Sequence, residues 1–187
     1  MRVYEEFVSD LNKSQKPLLA VAGYIQACGH PVLLPPHIVT PNPKDRYKYT
    51  DDMDAAFWFQ GKWRKIQVKG TNKSYASIDD YPYKMVTIDE TYKIAKQEDD
   101  PPFCYFQVNK EMTGAIQTLW ETKPHWDTFS CVEARQNGRE CTYNRCPIEL
   151  CQWKDLTKPK NHNPAPVNSD SWLQNAIEIL GLVEEER

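Results

Sequence analysis

The chain has 187 residues, of which 40% are hydrophobic and 12% aromatic, and its formal net charge is -3. This size suits one compact domain with a small appendage, and the charge excludes a protein covered in nucleic-acid-binding cations while allowing a local basic track. No apolar run approaches the roughly 18 residues of a membrane span, and the N-terminus has no apolar signal core, so we predict a cytoplasmic protein with no membrane partner.

The first elements in chain order are predicted to be helices. Apolar residues within 2–11 recur at helical spacing. A second helix is expected over 17–29, because Pro17 fits a first helical turn and Gly29 is a typical stop. The stretch HPVLLPP that follows indicates a short strand closed by prolines, and residues 37–52 indicate a loop.

A β-hairpin is predicted next. The stretches DAAFWFQ and WRKIQVKG flank Gly61 and Lys62, and glycine at the first central position favours a type II′ turn there. A two-residue turn one position earlier, at Gln60 and Gly61, is the alternative. Either turn makes this segment a two-stranded unit whose side chains alternate between two faces.

The two faces of the hairpin differ in chemistry. Both turns place Asp54, Gln67 and Lys69 on one face, and the first turn puts Asp54 opposite Lys69 and diagonal to Gln67. The other face is apolar, with residues such as Phe57 and Ile66, and is expected to pack on a helix.

The remaining chain is predicted to alternate strands with loops. Residues 85–97 indicate a strand that runs into a helix and 103–109 a strand, whereas 110–130 are ambiguous. Residues 157–170 are typical of a proline-rich linker, and 171–181 have the apolar spacing of a helix. We hypothesise that this last helix packs on another subunit and gives a homo-oligomer; the alternative is that it packs on its own core.

The polar face of the hairpin has the residue types of a metal-dependent hydrolytic site. The carboxylate of Asp54 and the amide oxygen of Gln67 can hold a hard cation such as Mg²⁺. Lys69 beside them can orient a water molecule or stabilise charge on a phosphoryl oxygen. The side chains expected to contact DNA phosphates around this site are Lys62, Arg64, Lys65, Lys73, Ser74 and Tyr75.

The stretch DAAFWFQGKWRKIQVK, residues 54–69, resembles the core of the PD-(D/E)xK nuclease superfamily, in the variant where glutamine replaces the second acid. That variant includes homing endonucleases and related small DNA endonucleases. The resemblance covers roughly residues 1–110 and implies a mixed sheet flanked by helices, with the active site on the hairpin. It also implies an acid on the first helix that completes the metal site. The predicted helix nearest the hairpin has no acid, so Glu5 or Glu6 is expected to serve.

Four of the six cysteines lie close together in the sequence. Cys131, Cys141, Cys146 and Cys151 fall in a short stretch with little apolar content, and four thiolates suit a tetrahedral structural Zn²⁺. The alternatives are an iron–sulfur cluster, replacement of one thiolate by His125 or His162, and a set of buried free thiols. The arginines expected to give the same loop a basic, DNA-binding surface are Arg135, Arg139 and Arg145.

These observations predict an α/β protein with a restriction-endonuclease-like mixed sheet flanked by helices, a Cys-rich zinc-binding insertion and a C-terminal helix. The nuclease core is expected over 1–130, the zinc-binding segment over 131–156, and the linker with its helix over 157–187. The predicted function is Mg²⁺-dependent cleavage of double-stranded DNA, sequence-selective and of the homing or restriction kind. The alternative is a zinc-stabilised module of the same fold that binds nucleic acid or another partner without catalysis.

Overall fold

The computed structural model describes residues 4–35, 53–133 and 139–160, and within the first helix it describes side chains from Ser14 onward. The protein is a mixed α/β fold with a core made mostly of sheet, which confirms the predicted class. The helices are α1 (Tyr4–Ala27) and α2 (Thr91–Lys96), with 3-10 turns at Trp120–His125 and Ile148–Leu150. The strands are β1 (Val32–Leu33), β2 (Ala55–Phe59), β3 (Lys62–Gly70), β4 (Met85–Glu90), β5 (Cys104–Val108), β6 (Gly114–Leu119), β7 (Asp127–Glu133), β8 (Arg139–Pro147) and β9 (Gln152–Asp155).

These strands form two sheets. The larger sheet has the order β1-β2-β3-β5-β6-β9, and the smaller one has the order β4-β8-β7. The larger sheet is mixed, because β3 and β5 run parallel while its other neighbouring pairs are antiparallel. The chain leaves β3, builds β4 and α2, and returns as β5, so this crossover brings the second sheet to the first.

Helix α1 covers one face of the larger sheet. Val21 and Ile25 of the helix share a buried cluster with Phe57, Ile66 and Phe106 of the strands. This packing confirms that the apolar face of the hairpin lies against a helix. The other face meets the smaller sheet and α2 through a second buried cluster, whose members include Ile88, Ile94, Tyr105, Ile116 and Cys146.

The prediction of two N-terminal helices is wrong, because one helix runs from Tyr4 to Ala27 with Pro17 inside it. An interior proline removes a backbone hydrogen bond and usually breaks a helix. Here the buried Pro17 ring faces β3: a Cβ placed on Gly70 would lie 3.1 Å from Pro17 Cγ. Tertiary packing of the helix on the sheet thus overrides the local signal.

The turn of the hairpin also differs from the first prediction. Phe59 pairs with Lys62, so the two central residues are Gln60 and Gly61. Their φ angles of 51° and 76° are both positive, as a type I′ turn requires. The earlier of the two considered turns is therefore the one that forms. Gly61 tolerates this geometry without strain, while Gln60 adopts a backbone conformation that is uncommon outside glycine.

The segment from β4 to β9 joins both sheets. The strand and helix predicted over 85–97 are confirmed as β4 and α2, and the strand over 103–109 as β5. The predicted boundary after residue 130 falls inside β7, and β8 and β9 pair with β4 and β6 respectively. Residues 131–156 therefore contribute strands to both sheets, alongside strands from earlier in the chain.

Two further predictions concern the C-terminal segment and the membrane. The C-terminal helix over 171–181, and the oligomer inferred from it, lie outside the described residues. Among the residues that are described, no helix is both long and apolar enough to cross a membrane.

Candidate active site

Asp54 lies immediately before β2 and is hydrogen-bonded to β3, the second strand of the hairpin. Its Oδ2 accepts a hydrogen bond from the backbone N–H of Val68 at 2.6 Å. Its backbone N–H donates to the carbonyl of Ile66 at 3.2 Å. The register that pairs Ala55 with Ile66 places Asp54 opposite Gln67 rather than opposite Lys69. The carboxylate is therefore held by a charge-assisted bond on the face that carries the other two predicted side chains.

Lys69 contacts a carboxylate that the sequence analysis did not assign to the site. Its Nζ lies 2.7 Å from Oδ1 of Asp89, at the end of β4. The Asp89 side chain is only 7% exposed, whereas that of Lys69 is 39% exposed. Asp89 Oδ1 also accepts a hydrogen bond from the backbone N–H of Glu90 at 2.8 Å. This ion pair links the two sheets next to the candidate site.

A second lysine approaches the same carboxylate from α2. Lys93 Nζ lies 3.4 Å from Asp89 Oδ1 and 3.6 Å from Glu90 Oε2. Burial lowers the pKa of Lys69, and the Asp89 carboxylate works in the opposite direction without reversing the shift. For Lys93 burial also lowers the pKa, but the combined attraction of Asp89, Tyr92 and Glu90 raises it above its ordinary value. The site is thus a compact network of alternating charges.

Tyr105 forms a buried wall beside this network. It is the neighbour of Gln67 in the parallel register of β3 and β5, and only 4% of it is exposed. Its hydroxyl donates to Oε1 of Gln97 at 2.5 Å, and its ring stacks on Trp120 with centroids 6.3 Å apart. Burial raises the pKa of Tyr105, and the Asp89 carboxylate adds to that rise.

Two of the oxygen donors that the sequence assigns to Mg²⁺ lie at the hairpin. Asp54 and Gln67 present a carboxylate and an amide on adjacent strands, and Mg²⁺ usually binds one or two protein carboxylates while keeping waters or substrate phosphates as its other ligands. Within the described residues no group of three or more His, Cys, Asp or Glu side chains is arranged to hold a metal. Glu5 and Glu6 lie on α1, but their side chains are outside the described part, so the predicted acid from that helix stays a prediction.

The structure does not bring the four cysteines of the predicted zinc site together. Cys131 and Cys141 are directly opposed on β7 and β8. Cys146 is five positions beyond Cys141 on the same strand, so the two point to opposite faces. Cys146 instead forms a hydrogen bond with Cys151, and both are buried. Two separate thiol pairs do not supply the four convergent ligands of a tetrahedral Zn²⁺ site, so the described residues give the predicted zinc site no support.

The predicted DNA contacts that follow β3 divide into exposed and buried residues. Lys73 and Ser74 are exposed, and Ser74 Oγ donates to Oε1 of Glu111 at 2.6 Å. Tyr75 is 5% exposed, and its hydroxyl donates to the carbonyl of Gln107 at 2.8 Å. Tyr75 is thus a core residue whose hydroxyl is bonded within the protein, which does not favour its predicted contact with DNA. Before them on the chain, Lys62, Arg64 and Lys65 line one groove.

Of the three arginines predicted to form a basic surface in the Cys-rich segment, the structure describes the side chain of Arg145. Arg145 makes a bidentate ion pair with Asp127, through Nε at 3.1 Å and Nη2 at 3.0 Å, and its guanidinium lies 4.6 Å from the ring centroid of Phe129. The charge of Arg145 is therefore paired across β7 and β8. Arg135 and the side chain of Arg139 are outside the described residues.

Sequence reasoning missed Asp89 as a site residue because the contact with Lys69 joins positions 20 residues apart through a crossover. A weak signal was present: two acids close a buried strand, and Lys93 follows Asp89 at a spacing that faces it on a helix. That pattern predicts a local ion pair but does not predict which distant strand lies beside it.

Comparisons of the chain with protein-family models, with curated proteins and with solved structures found no match.

Proposed function

We propose that the protein is a Mg²⁺-dependent endonuclease that hydrolyses phosphodiester bonds of DNA. The observation that carries the proposal is the placement of Asp54, Gln67 and Lys69 on one face of the hairpin, with the Asp54 carboxylate fixed by the Val68 N–H at 2.6 Å. The resemblance of this stretch to the PD-(D/E)xK superfamily supports the same reading. A double-stranded, sequence-selective target of the homing or restriction kind follows from that resemblance alone.

Each of the three side chains has a role that its position supports. Asp54 and Gln67 would hold Mg²⁺, which supplies charge neutralisation at the scissile phosphate and lowers the pKa of a bound water. The Lys69 ammonium lies next to them and would stabilise the negative charge that develops on a non-bridging phosphoryl oxygen. The hairpin supplies rigidity, because all three residues belong to strands or their immediate flank.

Asp89 is proposed as the residue that positions Lys69. At 2.7 Å from Nζ, its buried carboxylate restricts where the ammonium group can lie. Lys93 contacts the same oxygen and reduces the net negative charge near an incoming phosphate. Asp89 and Lys93 therefore orient the Lys69 ammonium toward the Asp54 side of the hairpin, and neither of the two is expected to contact the substrate.

The test is a cleavage assay on supercoiled plasmid with Mg²⁺ and with EDTA. We expect the wild type to nick or linearise the plasmid only with Mg²⁺, and Lys69→Ala to lose cleavage while it still binds DNA. The matched control is Lys158→Ala, since this lysine is 82% exposed and lies at the other end of the larger sheet, beyond β9. Full cleavage by Lys69→Ala would remove Lys69 from the mechanism.

A non-catalytic DNA-binding module is the second candidate, and one observation favours it. Lys69 is engaged with Asp89, and residues 14–27 of α1 carry no acid that could join Asp54. The zinc part of that alternative has no support, because the cysteines lie in two pairs. The plasmid assay separates the candidates: this module would bind DNA and leave it intact at every Mg²⁺ concentration.

A further inference from the structure

The hairpin end of the larger sheet carries a groove of about 550 Å³ beside the candidate active site. One wall is the start of β3, with Lys62, Arg64 and Lys65, and the other is the segment that enters β5, with Asp100 and Phe103. A backbone hydrogen bond of 2.7 Å from Phe103 N–H to the Lys65 carbonyl joins the two walls. The groove is therefore built on paired backbone rather than on a loose loop.

The groove is cationic. It is lined by three basic side chains and one acid, and Lys65 forms an ion pair with that acid, Asp100. Within the described residues neither Lys62 nor Arg64 forms an ion pair, so two positive charges in the groove have no acidic partner there. An anionic ligand would complete this balance of charge.

Arg64 and Phe103 add a planar surface to the charge. The Arg64 guanidinium carbon lies 5.3 Å from the centroid of the Phe103 ring. Nε of Arg64 is buried without a hydrogen-bond partner, and it is the one side-chain nitrogen or oxygen atom of the described residues in that state. Aromatic rings and arginine planes are the surfaces on which unpaired nucleic-acid bases stack. A base or phosphate that draws the guanidinium into the groove would also provide the missing acceptor.

The groove adjoins the face of β3 that carries the candidate active site through Lys65, whereas Arg64, one position earlier, lies on the opposite face of the strand with Ile66. Lys65 and Lys69 are on the same face of β3, four residues apart, which corresponds to about 13 Å of strand. A DNA strand that follows this face of β3 would therefore reach from the groove to Lys69.

We propose that this groove binds single-stranded DNA next to the bond that is cleaved, so that the substrate is DNA with an unpaired segment beside the cut. A duplex keeps its base faces inside its own stack, and it could offer the Arg64–Phe103 surface only its backbone. A single strand offers both phosphates and open base faces. The location of the cut rests on the proposed function, whereas the binding of a single strand does not.

The test is the affinity for a labelled ten-nucleotide oligo-dT and for a ten-base-pair duplex, measured by fluorescence anisotropy in EDTA. The informative variant is Arg64→Met, which keeps an apolar stem against Phe103 and removes the charged plane. We expect it to weaken oligo-dT binding about tenfold, on the scale of one lost base-stacking contact, and duplex binding less than twofold. Lys158→Met is the matched control and should change neither affinity.

A second variant keeps the test independent of folding at Arg64. Lys62→Ala alters an exposed side chain of the same groove and should reduce the slope of log affinity against log salt for oligo-dT by about one. Equal losses for oligo-dT and duplex in Arg64→Met, or no loss in either variant, would overturn the proposal.

The outcomes for the groove and for the proposed function are separable. If Arg64→Met loses oligo-dT binding and the wild type cleaves nothing with Mg²⁺, the groove is supported and the nuclease is contradicted. If Arg64→Met binds oligo-dT as the wild type does and the wild type cleaves plasmid, the groove is contradicted and the nuclease is still supported.

Discussion

The ion pair between Lys69 and Asp89 makes the stability of the fold sensitive to a single charge. Asp89→Asn removes the charge but keeps an oxygen in place to accept the backbone N–H of Glu90, which donates at 2.8 Å in the wild type. Breaking a fully buried ion pair costs about 3–5 kcal/mol, and an exposed pair is worth about 0–1 kcal/mol. Because Asp89 is 7% exposed and Lys69 is 39% exposed, the pair lies between these limits. We expect Asp89→Asn to lower the free energy of unfolding by about 2 kcal/mol.

A surface ion pair of the same chain provides the control. Glu98 pairs with Lys123, and their side chains are 50% and 30% exposed. Glu98→Gln should therefore lower the free energy of unfolding by less than about 1 kcal/mol. In a thermal melt followed by circular dichroism, about 2 kcal/mol corresponds to a drop of about 4–8 °C for a domain of this size.

A double-mutant cycle tests whether the cost passes through Lys69. In a Lys69→Met background, Asp89→Asn should cost about 1 kcal/mol less than in the wild type, since neighbouring charges couple on this scale. Lys93 remains 3.4 Å from the same oxygen and should retain part of the effect. The reasoning is refuted if Asp89→Asn is no more destabilising than Glu98→Gln, or if the two positions are additive.

The remaining predictions concern the glycines and one thiol pair. Gly114→Ala should destabilise the protein by about 1–3 kcal/mol, because its Cβ would overlap the ring of Trp153. Gly23→Ala, on the open side of α1, should stabilise the protein by about 0.5–1 kcal/mol. Urea unfolding of both variants measures the two changes. The hydrogen bond from Cys151 lowers the pKa of Cys146 to about 7, so thiolate absorbance at 240 nm should rise near that pH, and Cys151→Ala should move the rise to higher pH. A single rise near the ordinary thiol pKa in the wild type would contradict this hydrogen bond.

The local pattern of the sequence predicted the elements whose partners are close along the chain. The period-two alternation placed Asp54, Gln67 and Lys69 on one side of the hairpin whichever turn formed, because both turns keep the same parity. The opposite face reads as apolar in the sequence and packs on α1. In each case the deciding interaction lies within one element or between two that are joined by a short turn.

Interactions between distant segments were not predictable in the same way. The contact of Asp89 with Lys69 depends on a crossover that returns β4 to the edge of the hairpin face, and no local pattern specifies that placement. The clustering of cysteines in sequence predicted convergence, but strand alternation sends Cys141 and Cys146 to opposite faces. Pro17 gave a helix boundary that packing against Gly70 overrode.

Metal-dependent hydrolysis at Asp54 is tested most directly by single-turnover cleavage of a labelled DNA duplex that carries an unpaired segment, with the wild type and with Asp54→Asn. Asparagine keeps an oxygen that can accept the Val68 N–H, which donates to Oδ2 at 2.6 Å, so the hairpin should remain folded while the metal-binding charge is lost. We expect Mg²⁺-dependent cleavage by the wild type, a loss of at least about a hundredfold in rate for the variant, on the scale of one removed transition-state contact, and a retained melting temperature. Cleavage by Asp54→Asn at the rate of the wild type, or wild-type cleavage that persists in EDTA, would contradict the assignment.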